Sequence, residues 1–204
     1  MLRSVITNAL IGLGQQSFAD AFLELLDFAA EPGPSGLRIL DVGTGLARIP
    51  ISICRQRRDV NITAIDRAPA LLASAKNQIE RAGLARRIEL QQADADSLPF
   101  ADGTFDAVIS NGLMHHLRDP VAVLREMRRV LAPAGVLFVR DSLRQRDFER
   151  VTAALKSAGS PATVLPAAWS LPEARNLARL AGVPSHWVRA AGPRHWMIAG
   201  TNNG

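Results

Sequence analysis

Short apolar runs and helix-like stretches alternate along the middle of this chain. Leu37-Arg38-Ile39-Leu40-Asp41-Val42 is a mostly apolar run that suits a buried parallel strand, and a helix-like segment follows to about Arg57. Val60-Asn61-Ile62-Thr63-Ala64-Ile65-Asp66 is a second, β-branched run ending in an acid. Ala68-Pro69 opens the next helix, since proline is tolerated in a first turn, and Gly83 lies just past its end. Leu71, Leu72, Ala75 and Ile79 supply that helix with a predicted buried stripe. A third strand is predicted at Ile88–Gln92 and a fourth at 104–110. Asp119-Pro120 then starts a helix whose apolar side is Val123, Leu124, Met127, Val130 and Leu131. Pro133-Ala134-Gly135 reads as the turn into a fifth strand that runs to Asp141.

The two ends of the chain follow other patterns. Residues 4–30 read as helix in one or two pieces, with Phe18, Phe22, Leu25, Leu26 and Phe28 on the apolar side. The proline and glycine residues of 31–36 end it. Residues 142–157 form an arginine-rich helical pattern, and 159–168 a proline-containing connector. Residues 171–180 read as a helix ended by Ala181-Gly182. Residues 186–190 and 195–199, joined around Gly192-Pro193, read as a hairpin. Strands alternating with helices predict an α/β fold with a doubly wound, mostly parallel sheet. We divide this single domain into a helical cap (1–36), a ligand-binding core (37–141) and a final part (142–204).

Composition narrows the class. The chain has 204 residues and is 48% hydrophobic, enough for one substantial core, and it contains no apolar run of membrane-spanning length. Its first residues faintly resemble a leader peptide, but Thr7, Asn8, Gly12 and Gly14 weaken the apolar centre, so a packed helix is the better reading. The single cysteine, Cys54, excludes a disulfide framework and falls on the apolar side of its helix. The expectation is a cytoplasmic protein with no membrane partner. The net charge of +5 is almost all arginine, because Lys76 and Lys156 are the only lysines. The arginines stand in small groups, and 125, 128 and 129 read as a solvated helix face. Nucleic acid is a minor alternative partner, because aromatics are 5% and tyrosine is absent, which leaves few stacking platforms. Nothing in the sequence sets an oligomeric state.

The chemistry concentrates between the first strand and its helix. Gly43-Thr44-Gly45 lets the backbone approach a ligand closely, and the free amides of the next helix point back at it. A dinucleotide fingerprint would need glycine at position 48, where Arg48 stands. The pattern present is Asp41, Gly43, Gly45 and Ala47. Its carboxylate repels a pyrophosphate but suits an amino group or a sulfonium. Asp66, about 20 residues on, is placed to accept hydrogen bonds from a ribose, or to cap the helix that follows it.

At these residues the chain resembles the class I S-adenosylmethionine-dependent methyltransferases, with Ala47 in place of the third glycine of their first motif. Ala93-Asp94-Ala95-Asp96-Ser97-Leu98-Pro99-Phe100 resembles their adenine segment, and 105–141 resembles their small-molecule branch. The resemblance covers about 37–141. It implies a Rossmann-like seven-stranded sheet, mostly parallel, with a C-terminal antiparallel hairpin, and S-adenosylmethionine as cofactor with S-adenosylhomocysteine as product. It further implies that Asp41, Gly43, Thr44 and Gly45 hold the methionine end, Asp66 and Arg67 border the ribose, and Asp94 with Ala95 meets the adenine. Asp96 is expected to face solvent, with Leu98, Pro99 and Phe100 packed below. Asn111 would contact the methionine portion or border the acceptor pocket. His115 and His116 are candidate bases, with pocket lining as their other reading. No metal site is expected from the histidines, since His186 and His195 fall in distant strand-like segments. The expected activity is methyl transfer to a small-molecule acceptor. A non-catalytic cofactor-binding regulator, an RNA methyltransferase and a nicotinamide oxidoreductase remain as alternatives.

Overall fold

The computed structural model describes residues 17–29, 36–144 and 168–202. The start of the N-terminal helix, the proline-glycine break, and most of the arginine-rich segment and its connector lie outside the described residues.

A seven-stranded sheet with the order β3-β2-β1-β4-β5-β7-β6 carries the molecule. Its strands are β1 (Leu37–Val42), β2 (Val60–Asp66), β3 (Ile88–Gln92), β4 (Phe105–Asn111), β5 (Leu131–Ser142), β6 (Val188–Ala190) and β7 (His195–Thr201). β7 runs antiparallel to both β5 and β6, and the other pairings are parallel. Central β1 is buried at every position except Arg38, as expected for a strand covered on both faces.

Helices α1 (Phe18–Ala29), α2 (Arg48–Gln56) and α3 (Pro69–Arg81) pack on one face of the sheet. Helices α4 (Pro120–Arg129) and α5 (Leu171–Leu180) cover the other. Alternate residues of β5 divide between these layers. Val136 and Phe138 join the first core, and Leu137 and Val139 the second, as the two-residue period of a strand requires. Phe138 meets Phe18 edge-on, with ring centroids 5.0 Å apart, and this contact seats α1 on the sheet.

Several local expectations need correction. Phe28 and Leu71 are exposed, at 43% and 40% of their surface, so the apolar stripes of α1 and α3 are narrower than the sequence suggests. Pro99 is exposed too, whereas Leu98 is buried. The Pro133-Ala134-Gly135 turn lies inside β5 as an irregularity, with Ala134 at φ 60 and the pairing register shifted between Phe105 and Ala107. His186 and Trp187 belong to a 3-10 turn, leaving β6 only three residues. Three arginines read as scattered surface charge instead tie elements together. Arg57 holds Asp59 and Asp27. Arg87 donates to the carbonyls of Cys54, Arg57 and Val60. Arg129 reaches the carbonyls of Leu98 and Phe100 and the carboxylates of Asp102 and Glu126.

Candidate cofactor and acceptor site

The strand order reverses between β1 and β4, so the chain leaves their carboxyl ends in opposite directions and opens a crevice there. The predicted residues converge on that edge. Gly43 and Gly45 take left-handed φ of 78 and 55. The amides of Gly43 and Thr44 both donate to the Ile65 carbonyl, at 3.0 and 2.9 Å, which ties the loop to β2. A Cβ added at Gly45 would meet no atom within 4 Å, so the loop borders open space at that point. At Gly43 a Cβ would press on the Leu113 side chain at 3.0 Å. The turn after β4 therefore sits directly on the glycine loop.

Asp41 is 2% exposed, and its Oδ2 is buried without a full hydrogen bond beside the Thr44 hydroxyl. Burial pushes the Asp41 carboxyl up to about 7; the Thr44 side chain opposes the shift and the charge of Asp66 adds to it. An orphaned buried acceptor next to an open glycine calls for a donor from outside the chain, and a cationic one restores the ionised form. Asp66 is half-buried. Its Oδ2 accepts from the Gly45 amide at 3.0 Å and its Oδ1 from the Ala68 amide at 2.9 Å. Asp66 thus ties the glycine loop to the start of α3, and each oxygen keeps a further lone pair.

Arg67, Gln92 and Asp94 line an adjacent cleft of about 530 Å³ between the ends of β2 and β3. Asp94 and Asp96 are exposed and Ala95 is half-buried. The Ala93 amide donates to the Asp66 carbonyl at 3.3 Å, which brings this segment beside the glycine loop. Asn111 ends β4, and its side-chain oxygen accepts from Arg140 at 3.2 Å.

His115 and His116 form a 3-10 turn with Met114, their rings 3.9 Å apart. His115 Nδ1 lies 2.5 Å from Asp141 Oδ1, and the Asp141 side chain is fully buried with Oδ2 unpartnered. Sequence reasoning passed over Asp141 as a site residue. A signal existed, for it is an acid near the end of a central strand, as Asp41 and Asp66 are. No group of three histidine, cysteine or acidic side chains among the described residues is arranged to hold a metal ion.

Residues 40–139 match the family described as a methyltransferase domain. By this match the stretch belongs with the methyltransferase domains. The demethylmenaquinone methyltransferase of Thermus thermophilus is 37% identical over 114 residues, covering 56% of this chain and 50% of that protein. The malonyl-[acyl-carrier protein] O-methyltransferase of Halorhodospira halophila is 34% identical over 123 residues, covering 60% of this chain and 40% of its own length. The chain thus spans half or less of the length of these curated relatives. A SAM-dependent methyltransferase from Aquifex aeolicus shares the fold at a TM-score of 0.67, with 20% identity over 93% of this chain and 91% of that one. The family carries S-adenosylmethionine as cofactor, and the orphaned acceptor of Asp41 suits its ammonium group.

Proposed function

We propose that the chain transfers a methyl group from S-adenosylmethionine to a small-molecule acceptor. The observation that carries this reading is the buried, unsatisfied Oδ2 of Asp41 beside the open left-handed Gly45. When bound, the cofactor supplies an electrophilic sulfonium methyl. Asp41 and Thr44 accept from its ammonium group, with Gly43 and Gly45 leaving room for close approach. The remaining lone pairs of Asp66 accept from the ribose hydroxyls, with Arg67 at the rim. Asp94 accepts from the adenine amino group, and the Ala95 amide donates to the ring. Asn111 stands between the methionine end and the acceptor side.

Most of the acceleration in such an in-line transfer comes from holding the acceptor against the methyl group, which makes few demands on particular side chains. The named relatives are methyltransferases of demethylmenaquinone and of the malonyl group on an acyl-carrier protein. These support a small-molecule acceptor here without naming one. Titration calorimetry with S-adenosylhomocysteine, with NAD as the matched control, tests the cofactor. Micromolar binding of the first and none of the second is expected; binding of neither would end this reading.

A further inference from the structure

Resting on the methyl-transfer reading, we infer that Asp141 positions His115 as the base for an acceptor carrying a weakly acidic hydroxyl. Two elements place the pair. Asp141 lies near the end of β5, and His115 sits in the turn that leaves the tip of neighbouring β4. Leu113, two residues before His115, packs against Gly43 of the cofactor loop, so the histidine stands at the border of cofactor and acceptor space.

The chemistry of the pair is directional. A carboxylate only accepts, so the 2.5 Å contact places a proton on His115 Nδ1 and leaves Nε2 as the basic nitrogen. No described residue hydrogen-bonds Nε2, and the His115 side chain keeps 11% exposure. Asp141 Oδ1 is further held by the Ser142 amide, while Oδ2 is buried and orphaned. A carboxylate buried and held in this way fixes the orientation of the imidazole against it. His116 has no such partner among the described residues, which assigns the role to His115 rather than its neighbour.

Proton removal selects the acceptor. In the transfer the acceptor O–H bond breaks and its proton passes to His115 Nε2. The oxygen lone pair forms the O–CH3 bond, and the electrons of the S–CH3 bond remain on sulfur as the thioether. A carboxylic acid is already ionised at neutral pH and needs no base. The ionisable neighbours of the pair are His116 on the same turn, Arg140 beside Asp141 on β5, and His195 on β7, which burial foremost, then Arg140 and Arg194, hold below its ordinary range against the opposing pull of Asp141.

The first test reads the protein itself. Long-range proton–nitrogen NMR of the imidazoles in the full chain is expected to show His115 with its proton on Nδ1, and mixed tautomers in Asp141→Asn. A proton on Nε2 in the unaltered chain, or the same tautomer in the variant, overturns the proposal. The second follows S-adenosylhomocysteine formation at about pH 8.5 with hydroquinone, whose hydroxyls remain protonated there, and with 4-nitrophenol, whose hydroxyl is largely ionised. Asp141→Asn should lower kcat on hydroquinone at least tenfold with KM for S-adenosylmethionine unchanged, lose little on 4-nitrophenol, and recover in part in Asp141→Glu. Equal loss on both probes, or turnover of neither by the unaltered chain, overturns the hydroxyl assignment. S-adenosylhomocysteine binding in the same preparation would show that the cofactor reading survives that failure.

Discussion

Asp41 shows how a single buried carboxyl can serve binding at the expense of stability. Its folded value of about 7 stands above the 3.8 of an exposed aspartate. The folded chain therefore binds more protons than the unfolded chain between those values, so stability falls as pH rises from about 4 through 7 and then levels off. The full penalty is on the order of 4 kcal/mol, from about 1.36 kcal/mol for each pH unit separating the two values. Asp41→Asn removes it. The ligand-free variant should melt several degrees above the unaltered chain at about pH 8, and the advantage should vanish toward pH 4. The same variant should bind S-adenosylhomocysteine at least tenfold more weakly, because the ammonium loses its counter-charge. Thermal melts at the two pH values with matched calorimetry check both halves; a variant less stable at pH 8 would show that the buried carboxyl carries no penalty. The frame of the candidate site was legible at this scale wherever a residue type is dictated by the backbone. Gly43 and Gly45 stand in the expected turn at left-handed φ, and Asp41 and Asp66 stand at the expected strand ends. Asp141 did not, because its meaning depends on a histidine 26 positions earlier.

Elements were legible where hydrophobic period and caps agree. The bounds expected for β1, β2 and β3 match those observed, and α4 begins at the predicted Asp119 cap, whose side chain accepts from the Ala122 amide at 3.0 Å. What failed depends on neighbours in space. Leu71 sits on the predicted stripe of α3, yet no second layer covers it, while His186 and Trp187 read as strand but lack a ladder partner. The arginine clasps were illegible for the same reason, since charge runs say nothing about which carbonyls they meet. Arg87 is the clearest case. Its guanidinium spans the last turn of α2, through Cys54 and Arg57, and the start of β2 at Val60. It satisfies carbonyls the helix leaves free and complements the negative end of the helix dipole. Arg87→Ala should lower the unfolding free energy by about 2 kcal/mol, given ~1.5–3 kcal/mol for a hydrogen bond to a charged group. Arg87→Lys should recover less than half, because an ammonium cannot reproduce the planar fork. Urea titrations of both variants decide this; full rescue by lysine would reduce the clasp to a simple charge effect.

The whole molecule separates two candidate ligand seats by topology rather than by size. The roomier one, about 590 Å³, is lined by Arg125, Arg128, Arg129, Asp102 and Asn202 at the amino ends of β4 and β5. It offers concavity and positive charge, but Arg129 is already engaged with Asp102 and Glu126, and among the described residues no orphaned buried acceptor lines it. The crevice at the carboxyl ends, with a cleft of about 530 Å³ beside it, gathers the glycine loop, the Asp41 and Thr44 oxygens, Asp66 and the Asp141–His115 pair from the ends of β1, β2, β4 and β5. Parallel strands deliver their carboxyl ends to one edge, so residues distant in sequence meet there without any long-range signal in the sequence itself. Ligand binding should therefore register on one edge of the sheet only. Hydrogen exchange with saturating S-adenosylhomocysteine is expected to slow at residues 41–47, 66–68, 93–95 and 111–116, in proportion to the gain in stability, roughly 2.7 kcal/mol at a hundredfold excess over Kd. Amides of the tight turn at 101–104 should change least, because they lie at the far edge beside the arginine-lined hollow. Protection centred on 101–104 and 125–131 would move the ligand to that hollow. The buried acceptors of Asp41 and Thr44 would then need another explanation.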